Sequence, residues 1–334
     1  MTAPTCSDEQ FIRLWKLNPS INRMADVLRV STQACATRRR NIEKRYSLTL
    51  PTVDSHGRAA YDQSMLITTD RVEVQLTVDN GVVLIGSDAH YWPGFVPTMH
   101  KAFVHLAKRL KPAAKIMNGD AFDGAAISRH PSIGWESKPE VQPELQVCRN
   151  RMHEIFKAGT GRTIWTAGNH DLRFETFLAA HASQYAGVQG IHLKDHFPEW
   201  TPAWFVTING GTTSHTEVRH REKGGVHAGY NNTKESGVTM VTGHDHRADV
   251  VPYDDRRGRR YGVRSGMMAQ SSRDPQFVNY LEGKTTNWQS ALVVLTYKAG
   301  RLMYPELVLG WDDDHVQFRG EIINVSKGYK PCDI

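Results

Sequence analysis

Residues 237–250 read "GVTMVTGHDHRADV". Val238, Met240 and Val241 predict a short apolar strand, and the chain runs straight on into Gly243, His244, Asp245 and His246. Two imidazoles at i and i+2, where a buried strand gives way to a loop, suit a structural zinc, a nucleic-acid contact or a catalytic metal centre. Each of those roles needs different companions elsewhere in the chain.

The companions recur in order. "VVLIG" (82–86) is followed by Ser87-Asp88-Ala89-His90, "AKIMN" (114–118) by Gly119-Asp120-Ala121-Phe122-Asp123, and "RTIWTA" (162–167) by Gly168-Asn169-His170-Asp171. These apolar runs read as strands covered on both faces. Between them, "VPTMHKAFVHLAKRLKP" (96–112), "VQPELQVCRNRMHEIFKAG" (141–159) and "DLRFETFLAAHA" (171–182) carry helical periodicity. Strand–loop–helix units in series imply an α/β sheet with helices packed outside. Past residue 200 the helices thin out, and "AWFVTI", "VTMVTG", "RYGVRSG", "SALVVLTY" and "PELVLG" predict a second sheet. The fold class is therefore α/β, a sandwich of two sheets flanked by helices. Strand C-termini of an open α/β sheet share one edge, where ligands bind, so the four clusters are expected to converge there. Glycine before three of them allows a sharp turn and leaves room for ions.

Bulk composition narrows the class. The chain has 334 residues, 40% hydrophobic and 23% charged, enough for a large globular core and a small appendage. No run of eighteen apolar residues occurs, so no membrane span is expected. The start "MTAPTCSDEQ" lacks the pattern of a secretory signal, which points to the cytoplasm. Cys6, Cys35, Cys148 and Cys332 are scattered without CxxC spacing, which excludes a cysteine-built zinc site and favours reduced thiols.

The net charge of +6 is unevenly spread: residues 1–50 hold nine Lys/Arg against four Asp/Glu, a net of +5. That segment reads as three short helices, "SDEQFIRLWKL", "SINRMADVLRV" and "STQACATRRRNIEKRYS". The last two, joined at a tight "VS" turn, have the pattern of a helix-turn-helix. In that reading Thr32, Gln33, Thr37, Arg38 and Arg39 face a DNA groove; a solvated helix face or a protein-docking module is the plainer alternative. The expected organisation is a small all-α domain at 1–47, a Pro/Gly/Asp/Ser linker at 48–65 and the catalytic domain at 66–334.

The ordered set "SDAH", "NGDAFD", "GNHD", a single His and "GHDH" resembles the signature of the calcineurin-like metallophosphoesterase superfamily over roughly residues 70–310. The stretches "HREKGGVHAGYNNTKESGVTMVTGHDHRADV" and "NGDAFDGAAISRHP" look like bacteriophage-encoded, DNA-processing members. The resemblance implies two metal ions. Asp88, His90 and His246 would hold one, Asp120 would bridge both, and Asn169, His244 and the single His would hold the second. His170 would sit beside the metals without ligating them, with Asp171 orienting its ring, and Asp123 would support the ligands. The single His is open among His215, His220 and His227: His220 fits the end of a strand best, and His227 has space around it. Ser87 stands where glycine is common. Arg129, His130 and His227 are placed near substrate.

Imidazole, carboxylate and amide donors suit Mn²⁺, Fe, Zn²⁺ or Ni²⁺ rather than Ca²⁺, with Mn²⁺ first among them. The implied reaction is phosphodiester hydrolysis by a metal-bridging hydroxide, with protonated His170 steadying the developing charge. DNA is the expected partner, from the basic helices and from "DDRRGRRYGVR", where Arg256, Arg257, Arg259 and Arg260 lie between Tyr253 and Tyr261. Small phosphoesters are the alternative substrate. A DNA-binding protein that uses the fold without catalysis is a third reading. Oligomeric state and pathway are not written in the sequence.

Overall fold

The computed structural model describes residues 6–17, 20–50, 73–130, 134–270 and 284–332. Contacts divide the chain into two compact units, Met1–Thr69 and Asp70–Ile334. The linker expected at 48–65 lies, from residue 51 onward, outside the described residues.

In the first unit α1 (Asp8–Leu17), α2 (Ile21–Leu28) and α3 (Thr32–Tyr46) follow the predicted segments. α1 opens on a reciprocal cap, in which Gln10 N donates to Ser7 Oγ and Ser7 N to Gln10 Oε1. Arg29, in left-handed backbone, ends α2, and the Ser31 hydroxyl then accepts from Ala34 N to start α3. Phe11, Trp15, Met24, Leu28, Cys35 and Ile42 fill its core. Arg38 and Arg39 depart from the expected outward placement. Arg38 lies 5.0 Å over the Phe11 ring and pairs with Asp8, while Arg39 lies 5.4 Å over Trp15 and pairs with Glu43. Their stems cover the small core, as long cationic side chains do. Thr32, Gln33, Thr37, Arg40 and Lys44 form the exposed face of α3.

The second unit runs β1 (Glu73–Leu76), β2 (Gly81–Gly86), α4 (Thr98–Leu110), β3 (Ala114–Asn118), α5 (Val141–Lys157), β4 (Arg162–Thr166), α6 (Asp171–His181), β5 (Thr201–Ala203), β6 (Phe205–Ile208) and β7 (Thr216–Arg219). It continues through α7 (Ala228–Ser236), β8 (Thr239–Thr242), β9 (Ala248–Asp255), β10 (Gly258–Ser265), β11 (Ala291–Lys298), β12 (Arg301–Leu302), β13 (Glu306–Gly310), β14 (His315–Phe318) and β15 (Glu321–Asn324). One sheet has the order β15-β14-β13-β11-β2-β3-β4-β5, with β12 beside β11; the other has the order β1-β6-β7-β8-β10-β9.

Period-two alternation builds the sandwich. In β11, Val293 and Leu295 pack between the sheets with Ile85, Ile116, Val206 and Val241. Their neighbours Leu292 and Val294 face the opposite way, onto Phe103 of α4 and Met152 of α5. The larger sheet is thus buried on both faces, which is why its strands read as unbroken apolar runs.

Four features differ from the sequence reading. The strands "SALVVLTY" and "PELVLG", assigned to the second sheet, become β11 and β13 of the larger one, where β11 pairs directly with β2. The four clusters do not leave one sheet: β2, β3 and β4 are parallel neighbours in the larger sheet, whereas β8 lies in the smaller one, parallel to β7. The predicted "AWFVTI" strand is split at Trp204, β5 joining one sheet and β6 the other. The helix α7 was not expected, because "AGYNNTKES" has no apolar period. It is held by small and polar residues, with Ala228, Gly229, Asn232 and Thr233 buried and Asn232 Nδ2 donating to Lys223 O.

Candidate metal centre

Five strands end at the site. β2 delivers Asp88 and His90, β3 delivers Asp120 and Asp123, β4 delivers Asn169 and His170, β7 delivers His220, and β8 delivers His244 and His246. Asp88, His90, Asp120, His244 and His246 all have left-handed backbone (φ 54°, 40°, 52°, 72° and 59°). That conformation costs a non-glycine residue about 1–3 kcal/mol and is retained where function over-determines it.

Three groups have donor atoms within 4.8 Å of one another: Asp88 with His90 and His246, Asp120 with His220 and His244, and His90 with Asp123 and His170. In the third, Asp123 is hydrogen-bonded to both rings, which leaves the first two as the donor sets. Asp88 Oδ1 is 3.2 Å from His246 Nε2 and 4.0 Å from His220 Nε2. Asp120 Oδ2 is 3.1 Å from His220 Nε2 and 4.0 Å from His90 Nε2, so one carboxylate oxygen faces an imidazole of each set. Asn169 Oδ1 lies 3.3 Å from His220 Nε2 on the second set. His227 stands exposed at the head of α7, outside both sets, and Arg129 and His130 are exposed in the loop after "NGDAFD". His215 precedes β7 and also lies outside them.

The surrounding chain fixes which imidazole nitrogen faces inward. His220 Nδ1 is 2.7 Å from Asn118 O, which leaves Nε2 turned towards Asp120. Asn118 itself bridges the sheets: its Nδ2 donates to Arg219 O, next to His220, and its Oδ1 accepts from Thr166 Oγ1. His90 Nδ1 is 2.9 Å from Asp123 Oδ1, which turns His90 Nε2 inward in the same way. Hydrogen bonds of this kind set the tautomer and basicity of metal-binding histidines. The Ser87 hydroxyl sits against the Asp88 carboxylate and Asn118 O.

Glycine before the clusters leaves room for side chains as much as for ions. A Cβ on Gly168 would fall 2.1 Å from Asp120 Oδ1, and one on Gly119 (φ 78°) would fall 2.3 Å from His220 Nδ1.

His170 is oriented by a different carboxylate from the one expected. Its Nδ1 is 2.6 Å from Asp123 Oδ1, while Arg173 Nη2 lies 3.1 Å from its Nε2 and Arg173 Nη1 donates to Asp123 O at 2.9 Å. Asp171 turns away from the ring. Its carboxylate accepts from the backbone N–H groups of Asp120, Phe122 and Gly168 and from Trp165 Nε1, holding together the loops that follow β3 and β4. Four N–H donors saturate it. Asp245 likewise points out of the site, to Arg264.

Electrostatics call for positive charge at the centre. Burial works against charged imidazole, yet Asp120 and Asp88 push His220 up to about 10. Burial also opposes ionisation of Asp123, which His170 and His90 nevertheless hold far below the carboxylate range. Two buried carboxylates, four imidazoles and an amide oxygen form the donor set of a divalent-metal site, and the residues fit such ions. Sequence reading gave no role to Arg173, which lies in no motif, or to Asn118, although Asn118 opens "NGDAFD".

The chain matches no protein-family profile. It is similar to the Gene 54 proteins of the mycobacteriophages L5 and D29, 25% identical to each over 231 residues, 62% of this chain and 86% of theirs. Among solved structures, Entamoeba histolytica Vps29 complexed with zinc matches with a TM-score of 0.38 at 13% identity, covering 73% of this chain and 99% of that one. The Pseudomonas putida nuclease MPE matches with a TM-score of 0.28 at 14% identity, covering 67% and 86%. At such TM-scores the likeness carries no weight for chemistry, which the donor geometry has to supply.

Two measurements check this arrangement. Asp123→Asn removes the charge that aligns both His90 and His170, and divalent-metal affinity should fall about 10–100-fold by chelator competition; unchanged affinity would remove Asp123 from the support of the site. Glu144, on α5, accepts from Gly124 and Ala125 N–H just beyond Asp123, and burial pushes its carboxyl up to about 8. The folded state therefore holds a proton that the unfolded chain releases near 4.5, so this contribution is complete below that pH and lost as pH rises to about 8. Urea titrations should show a decline across that window that Glu144→Gln flattens.

Proposed function

We propose that this protein is a two-metal-dependent phosphoesterase that hydrolyses phosphodiester bonds, with DNA as its substrate. The observation that carries the proposal is the pair of adjacent donor sets joined at Asp120 Oδ2, with His170 held beside them. Divalent ions at these sets would supply Lewis acidity and a water activated near neutral pH. The chain's own work is to aim the nitrogens inward, hold the carboxylates dry and keep His170 and Arg173 together beside the donor sets. Asp120 and Asp123 hold His170 above its ordinary value against burial and Arg173, which suits it to steady an oxygen that gains charge.

DNA is supported by the exposed α3 face with Thr32, Gln33, Thr37, Arg40 and Lys44. The β9–β10 hairpin offers less support than its sequence promised: Arg257 and Arg260 pair with Asp255, and Arg259 pairs with Asp254. That pairing favours small phosphodiesters as the second reading. Relatives in mycobacteriophages, and the absence among the described residues of any helix long and apolar enough to cross a membrane, support work in the bacterial host cytoplasm. Mn²⁺ remains our proposed metal.

Purified protein should cleave DNA with added Mn²⁺ and lose activity in EDTA. Asp120→Asn should lower the rate at least about 10²-fold, and His170→Ala about 10²–10⁴-fold. Cleavage of bis-aryl phosphodiesters without cleavage of DNA would select the second reading. Removing residues 1–50 should weaken DNA binding and flatten its salt dependence; identical salt slopes would remove the N-terminal helices from DNA recognition.

A further inference from the structure

An open cleft of about 420 Å³ is lined in part by Trp288, whose ring also touches His246 of the metal centre. Its walls belong to the same backbone as the ligands. Met268 N and Ala269 N donate to the carbonyls of Ser87 and Asp88, and Gln289 N donates to His246 O at 2.8 Å. The Trp288 ring meets His246 edge-on, centroids 4.5 Å apart. Across the cleft Trp311 is 61% exposed in the turn after β13.

The polar groups of this cleft are fixed in place. Gln270 Nε2 donates to Asp313 Oδ1 at 2.7 Å, and its Oε1 accepts from Thr98 N. Gln289 Oε1 accepts from Ala248 N and its Nε2 donates to Asn287 Oδ1. Asp312 is spent on capping the turn, accepting from the N–H groups of Asp314 and His315. Among the described residues the lining carries two carboxylates and no lysine or arginine, which favours a neutral ring there over a phosphate. Two indoles with preset amide and carboxylate edges suit a flat heterocycle with exocyclic amino groups.

We propose that this cleft is a nucleobase subsite: it receives the base next to the phosphodiester presented to the metal centre. Trp288 and Trp311 supply the stacking surface, and Gln270, Gln289 and Asp313 line its edge. The inference rests on the phosphodiesterase reading and specifies its substrate as a nucleotide strand with an accessible, unpaired base.

The test is equilibrium binding of the full-length protein in EDTA to a fluorescein-labelled oligo-dC and to an abasic oligomer of the same length and charge. Wild type should bind oligo-dC about tenfold tighter, which is ~1.4 kcal/mol, and Trp311→Ala should erase that preference while leaving abasic binding unchanged. Equal binding of both oligomers by wild type, or a preference that survives Trp311→Ala, would overturn the subsite. Hydrolysis separates the two ideas. Base-dependent binding without Mn²⁺-dependent cleavage overturns the phosphodiesterase and leaves the subsite standing; cleavage without base dependence does the reverse.

Discussion

Burying two carboxylates side by side is the constraint on which the rest of the site depends. Asp88 and Asp120 are 0% and 1% exposed, and a carboxylate taken out of water costs on the order of several kcal/mol unless it is compensated. The partners facing them are imidazoles, which can be neutral or charged and can share the carboxylates with a cation. Close approach of so many donors leaves no volume for Cβ atoms at Gly119 and Gly168. It also twists five ligand residues into left-handed backbone. The strained loops are in turn tied down by Asp171, whose four N–H contacts span the ends of β3 and β4.

Much of this was legible in the chain. Asp88, His90, Asp120, Asn169, His244 and His246 sit directly after strands, and a strand end fixes a side chain within a residue or two, so local pattern sufficed to group them. The unbroken apolar runs of β2 and β3 likewise announced a sheet with both faces covered, whereas nothing local placed β11, read as part of the second sheet, beside β2. What was not legible depends on long-range packing. Among His215, His220 and His227 the sequence favours His220 only by its place at a strand end, and the structure brings in that ring, which reaches Asn118, 102 residues away. The partner of His170 was misread for the same reason. Asp171 is its sequence neighbour, but a residue opening α6 points its side chain back along the helix, towards the β3 loop, and Asp123 arrives from that loop instead.

The cationic residues show how composition misleads. Arg38 and Arg39 look like a nucleic-acid surface in sequence, yet they serve as lids on Phe11 and Trp15. Arg257, Arg259 and Arg260 are matched by aspartates in the same hairpin. A count of positive charges measures what a surface offers only after these internal pairings are removed.

The split of the donors between two sheets has a consequence for how the protein comes into being. Asp88, Asp120 and Asn169 lie in the part of the chain made first, and His220, His244 and His246 in the part made later. A nascent chain that stops before residue 220 owns the acidic half of the centre without these three imidazoles. The larger sheet is itself unfinished at that point, because β11 and β13 to β15, made last, complete it beside β2, so the two groups of donors meet only when nearly all of the second unit has been made.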